Sequence, residues 1–123
     1  MVVGAFLADA GTQDNGSATL YLGGAPPSFA LAAFFWGEIQ PQSGDQFGIS
    51  VSGAGDVNRD GYDDVIVGAY YNDFCCGLLG PNAGRAYLFI GELVPTNRGA
   101  ATSLNDWVFT GRKPGDGLGI SVR

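Results

Sequence analysis

The chain of 123 residues carries a net charge of −6, with only six lysines and arginines and no histidine. That balance excludes the clustered basic footprint that nucleic-acid binding needs, and the missing histidine removes the commonest general base. With 21 glycines, 6 prolines and no sustained helical periodicity, the composition points to an all-β chain of short strands joined by turns.

Residues 1–5, Met-Val-Val-Gly-Ala, open the chain with no basic region and no apolar leader segment behind it. A loop at 7–15 leads to an apolar run at 16–23, and the Gly-Gly-Ala-Pro-Pro stretch at 23–27 blocks regular pairing. The most apolar stretch, residues 29–36, is too short to span a bilayer, so no membrane span is expected. Strands are then expected at 48–53, 64–69, 84–90 and 106–110. In the third of these Ala86, Leu88 and Ile90 alternate with Tyr87 and Phe89, so both faces are apolar and the sheet must be covered on both sides.

The chain also repeats itself. Residues 1–5 line up with Val65-Ile66-Val67-Gly68-Ala69 at an offset of 64, and residues 16–23 with 84–91 at an offset of 68. Trp36 matches Trp107 at 71, as residues 44–51 match 115–122, so the two tryptophans are expected to hold equivalent packing positions between sheets. Four-stranded units that each need a neighbour on both faces are the arrangement of a β-propeller.

Between the first two strands of the complete unit lies Asp56-Val57-Asn58-Arg59-Asp60-Gly61-Tyr62-Asp63-Asp64. Oxygen donors stand at positions 1, 3, 5 and 9 around a glycine at position 6, the spacing of a calcium loop. Asp56, Asn58, Asp60 and Asp64 would supply side-chain oxygens and Tyr62 its carbonyl. An EF-hand is excluded, since position 12 is Val67 and a β-branched run stands where a helix would be needed; the same objection weakens a dockerin-like reading. Four crowded carboxylates favour a cation, and the competing reading is a solvated Asx turn held by its own hydrogen bonds.

Phe47-Gly48-Ile49-Ser50-Val51, the loop from Gly55 to Asp64, the run Val65-Ile66-Val67-Gly68-Ala69 and Gly84-Arg85-Ala86-Tyr87-Leu88-Phe89 together resemble the FG-GAP repeats of integrin α-subunit propellers and of bacterial surface and secreted proteins. Phe6 and Tyr70 stand where that family commonly has proline, and Leu118 replaces the phenylalanine of a second Phe-Gly pair. The resemblance implies propeller blades of four antiparallel strands, about two blades of a larger propeller. Residues 1–47 would be the end of one blade, 48–111 a complete blade with its calcium loop, and 112–123 a linker and the first strand of the next. A piece of a longer protein is expected, and one that self-associates if it exists alone, because open blades leave apolar faces and strand edges uncovered.

The resemblance further implies an extracellular or cell-surface setting, a structural Ca²⁺ on the face opposite the ligand-binding face, and a protein or glycan partner. No catalytic residues are assigned: neither an open-site nucleophile nor an acid/base pair accompanies the loop. An accessory propeller portion of a secreted hydrolase or lyase is the alternative. Cys75 and Cys76 are adjacent and leave open a vicinal disulfide, pairing elsewhere, or two thiols. Arg112 and Lys113 read as a solvated basic turn.

Overall fold

A computed structural model describes residues 1–8, 15–23, 30–37, 44–73, 82–95, 97–99 and 106–123. Cys75 and Cys76, the segment 24–27, residues 9–14 of the loop at 7–15 and residues 74–81 lie outside the described residues. The elements are all strands: β1 (Val2–Ala5), β2 (Ser17–Leu22), β3 (Ala30–Trp36), β4 (Phe47–Gly55), β5 (Asp64–Ala69), β6 (Arg85–Phe89), β7 (Arg98–Gly99) and β8 (Trp107–Thr110). They form two sheets, in the orders β1-β2-β3-β7 and β4-β5-β6-β8.

The second sheet is the complete antiparallel unit anticipated from the sequence, with β4 longer than expected and kinked at two register shifts. The first sheet departs from it. Its three antiparallel strands are joined at the edge by β7, which runs parallel to β3 with Phe35 opposite Arg98 and Trp36 opposite Gly99. β7 comes from the connection between β6 and β8, so a segment of the second unit satisfies the outer edge of the first. Asn97 reinforces the junction, its Oδ1 accepting from the Phe34 amide at 2.8 Å. Over 112–123, where a following strand is expected, Leu118 makes one bridge to Gly84, and no strand among the described residues pairs with residues 119–123.

Strand register tests the repeat directly. Gly4 opposite Ala18 corresponds to Gly68 opposite Ala86, and Ala5 opposite Ser17 to Ala69 opposite Arg85, so the offsets of 64 and 68 hold. The tryptophan match does not. Ala18 faces Phe35 and Ala86 faces Phe109, which makes Trp107 the counterpart of Ala33 and Trp36 that of Thr110. The connection that holds β7 is the longer of the two and moves the frame. Trp107 is 61% exposed, and Trp36 lies half-buried against Gly99.

Among the described residues one core straddles the sheets. Ala18, Ala33 and Phe35 from the first meet Phe47, Val65, Val67, Tyr87 and Phe89 from the second. Phe35 stacks on Phe89 with centroids 4.5 Å apart, and Phe47 stands edge-on to Tyr87 and Phe89 at 5.2 and 6.0 Å. Each such pair adds about 0.5–1.5 kcal/mol to the area term. Phe47 is followed by Gly48, at φ 89°, whose missing side chain lets its backbone press against the Ser17 carbonyl; a Cβ there would collide with that oxygen. One residue fills the core and the next lets the sheets touch.

Phe47→Ala is therefore expected to cost about 3–5 kcal/mol, enough to unfold a marginal domain. Leu118→Ala, at the repeat-equivalent but part-exposed position, is expected to stay within about 1 kcal/mol. Urea unfolding followed by circular dichroism compares the two directly.

Candidate functional site

The β4–β5 hairpin carries the acidic loop. Residues 56–63 are exposed and Asp64, the first residue of β5, is completely buried. Two φ values make the turn: Arg59 at 64° and Gly61 at 94°. Gly61 meets no neighbour that a side chain would strike, so backbone conformation and not crowding calls for glycine there.

The loop is wound by carboxylates accepting from its own amides. Asp56 takes the Asp60 amide on Oδ1 at 3.0 Å and the Gly61 amide on Oδ2 at 2.9 Å. Asn58 Oδ1 accepts from the Asp60 amide at 3.1 Å, its Nδ2 donates to Asp60 Oδ2 at 2.8 Å, and Asp60 Oδ1 accepts from the Tyr62 amide at 2.9 Å. Asp64 has a wider reach. Its Oδ2 accepts from Val57 at 2.8 Å and its Oδ1 from Gly91, beyond the end of β6, at 2.7 Å. It ties loop, hairpin and the neighbouring strand's exit to one buried charge.

Asp56, Asn58, Asp60, Tyr62 and Asp64 thus share one turn. Among the described residues no group of three or more His, Cys, Asp or Glu side chains is disposed so as to hold a metal ion. The carboxylates are engaged with backbone amides and not gathered round a point. In chemistry the donor set still fits a hard cation: every donor is oxygen, and an oxygen accepting one hydrogen bond keeps a second acceptor direction. Beside the loop, a cleft of about 370 Å³ opens between the sheets, walled by Val2, Leu20 and Phe35 on one side and Val65 and Phe89 on the other, with Tyr62 at its rim. Asp63, Asp64 and Glu92 also line it, so its walls combine apolar side chains with carboxylates.

A second polar group, not singled out in the sequence, lies buried within the molecule. Asp45, Asn72 and Arg85 are all more than nine-tenths buried, and Asn72 Nδ2 donates to Asp45 Oδ2 at 3.0 Å. Burial raises the Tyr87 phenol far above its ordinary value of 10.0, with the Arg85 guanidinium opposing and the Asp45 carboxylate adding to the shift. Desolvation lowers Arg85 in turn. The available signal was the Gly-Asp pair at 44–45 recurring at 115–116; Asp116 instead accepts from the Arg112 and Lys113 amides at 2.8 and 3.1 Å in an exposed turn.

Two close-packed sheets, the second a four-stranded antiparallel meander with its hairpin loop at one end, define repeat architecture of the propeller-blade type. Residues 47–89, from the Phe47-Gly48 pair to the end of β6, match the family model of the FG-GAP repeat. No solved structure matches the chain. No helix among the described residues is long and apolar enough to cross a membrane.

Asp64→Ala leaves two amides without their charged acceptor and is expected to cost about 2–4 kcal/mol, whereas Asp63→Ala, exposed on the same loop, is expected to cost less than about 0.5 kcal/mol; thermal melts measure both. Tyr87 gives a pH signature. Above pH 10 the unfolded chain releases the phenolic proton while the folded chain retains it, so stability is complete below 10 and falls as pH rises. Alkaline unfolding followed by circular dichroism is expected to shift to higher pH in Tyr87→Phe.

Proposed function

We propose that this chain is a non-catalytic, calcium-stabilised FG-GAP segment of an extracellular propeller that acts in adhesion or in recognition of a protein or glycan. The observation that carries the reading is the loop itself: five oxygen donors at alternating positions, pre-wound by the Asp56 carboxylate on the Asp60 and Gly61 amides. A pre-wound loop loses less chain entropy on taking up an ion, and a divalent cation offsets the repulsion among its carboxylates. Asp56, Asn58, Asp60, the Tyr62 carbonyl and Asp64 are the proposed ligands. The role is structural, since Asp64 would couple the ion to β5 and to the exit of β6 through the Gly91 amide. The chain's −6 charge suits an acidic, calcium-rich surface, and the loops at 7–15 and 70–82 are the proposed carriers of partner contacts.

Calorimetric titration of chelator-stripped protein with Ca²⁺, with Mg²⁺ as competitor, is expected to give one saturable site and a higher melting temperature. Asp60→Ala, on an exposed residue, is expected to weaken binding by about tenfold or more while leaving the β-sheet spectrum intact. An unchanged melt and no heat of binding would remove calcium from the reading.

A further inference from the structure

Where Asp or Asn precedes glycine, the side-chain carbonyl carbon lies within reach of the next backbone nitrogen, which no Cβ shields, and a five-membered imide can close. The chain has three such pairs: Asn15-Gly16, Asp60-Gly61 and Asp116-Gly117. In an unfolded chain the asparagine pair reacts first, because a carboxylate is the poorer electrophile. The fold reverses that order.

Asn15 is 2% exposed, and the Gly16 amide donates to the Ala8 carbonyl at 3.0 Å. The Gly16 backbone is pressed so close to Phe47 that a Cβ would strike the Phe47 carbonyl, which leaves no room for a ring. Asp116 is exposed, but the Arg112 and Lys113 amides hold its Oδ2 toward the preceding residues at 2.8 and 3.1 Å. The Gly117 amide is buried, donates to the Asn82 carbonyl at 3.2 Å, and has the Tyr70 ring where a side chain would begin. In both pairs the attacking nitrogen donates to a carbonyl, which cannot take its proton.

At Asp60-Gly61 every reacting group has a suitable partner. The Gly61 amide donates to Asp56 Oδ2 at 2.9 Å, a carboxylate within reach to act as base. Asp60 Oδ1 accepts from the Tyr62 amide at 2.9 Å, which curls the side chain back across the Gly61 peptide. Asp60 Oδ2 accepts from Asn58 Nδ2 at 2.8 Å, so both oxygens meet donors where negative charge gathers once the carboxyl carbon is attacked. Both residues are exposed, and no atom among the described residues crowds the Gly61 Cα.

We infer that Asp60 is a self-modification site, its carboxyl carbon captured by the Gly61 amide as a succinimide that water reopens to isoaspartate. The bond from the Gly61 nitrogen to the carboxyl carbon forms and one Asp60 C–O bond breaks. The amide proton passes to Asp56, and the departing oxygen leaves as water with that proton and one from solvent. Water then opens either imide carbonyl, and opening at the main-chain carbonyl leaves the backbone one methylene longer. On the reading of this loop as a calcium site, the third side-chain donor is displaced and the site is lost with age. The inference itself rests on the hydrogen bonds at the reacting groups and not on calcium.

For the test, the whole 123-residue chain is held at neutral pH and body temperature in chelator, either folded or in urea. Isoaspartate is located by peptide mapping with electron-transfer fragmentation. In the folded chain, conversion at Asp60 is expected to exceed that at Asn15 and Asp116 by about tenfold or more, whereas in urea Asn15 leads and the two Asp-Gly pairs keep pace. Asp56→Asn retains an acceptor but no base, and is expected to slow Asp60 by about tenfold or more when folded and to leave it unchanged in urea. Equal conversion at Asp60 and Asp116 in the folded chain, or a folded Asp60 rate indifferent to Asp56→Asn, overturns the proposal. With chelator present throughout, the result stands apart from the calcium titration.

Discussion

The structure depends on backbone contact between two sheets at Gly48, directly beside the aromatic that anchors both. Phe47 contributes one of the larger buried surfaces, and its place is usable only because the next residue carries no side chain and adopts a left-handed conformation. Moving the sheets apart by the width of a methyl group would empty contacts around Phe35, Phe89 and Tyr87 together. The same arrangement recurs at Gly119 on Arg85, which makes the contact a repeated building rule of the fold.

Much of this was readable from residue order. The β-branched run at Val65 to Val67 and the alternation at Ala86 to Ile90 marked the middle strands, because a strand covered on both faces leaves a local pattern. The loop with calcium-type spacing was equally local: Asp56, Asn58, Asp60, Tyr62 and Asp64 share one turn, in which the side chains of Asp56, Asn58, Asp60 and Asp64 accept from backbone amides. What escaped was set by tertiary register. Trp36 and Trp107 look equivalent in a linear comparison, but loop length upstream of β8 shifts the frame, so that Trp107 pairs as Ala33 does and Trp36 takes the place of Thr110. β7 had no signal, since a two-residue strand is defined by the unsatisfied edge it meets. The Asp45 and Asn72 contact joins loops from two different strand connections, and no local spacing announces it.

Charge is handled in two ways in this molecule. In the exposed loop the carboxylates direct their oxygens at nearby amides, and water screens the remainder of their repulsion. Asp64 is buried, and its charge is tolerable because two amide dipoles from separate segments point at it. The buried Tyr87 is the opposite case: with little to solvate a phenolate, it stays protonated, and the neighbouring Arg85 only partly offsets that preference.

β7 has a wider implication. The outer edge of the first sheet is closed by residues that belong, in chain order, to the second. Insertion or deletion in the β6–β8 connection therefore acts at a distance, fraying β3 while leaving its own sheet's ladder intact. A lineage that duplicates or trims such units would have to change neighbouring units in step. The unit that evolution can copy freely is thus not the sheet one sees, but a stretch of chain offset from it.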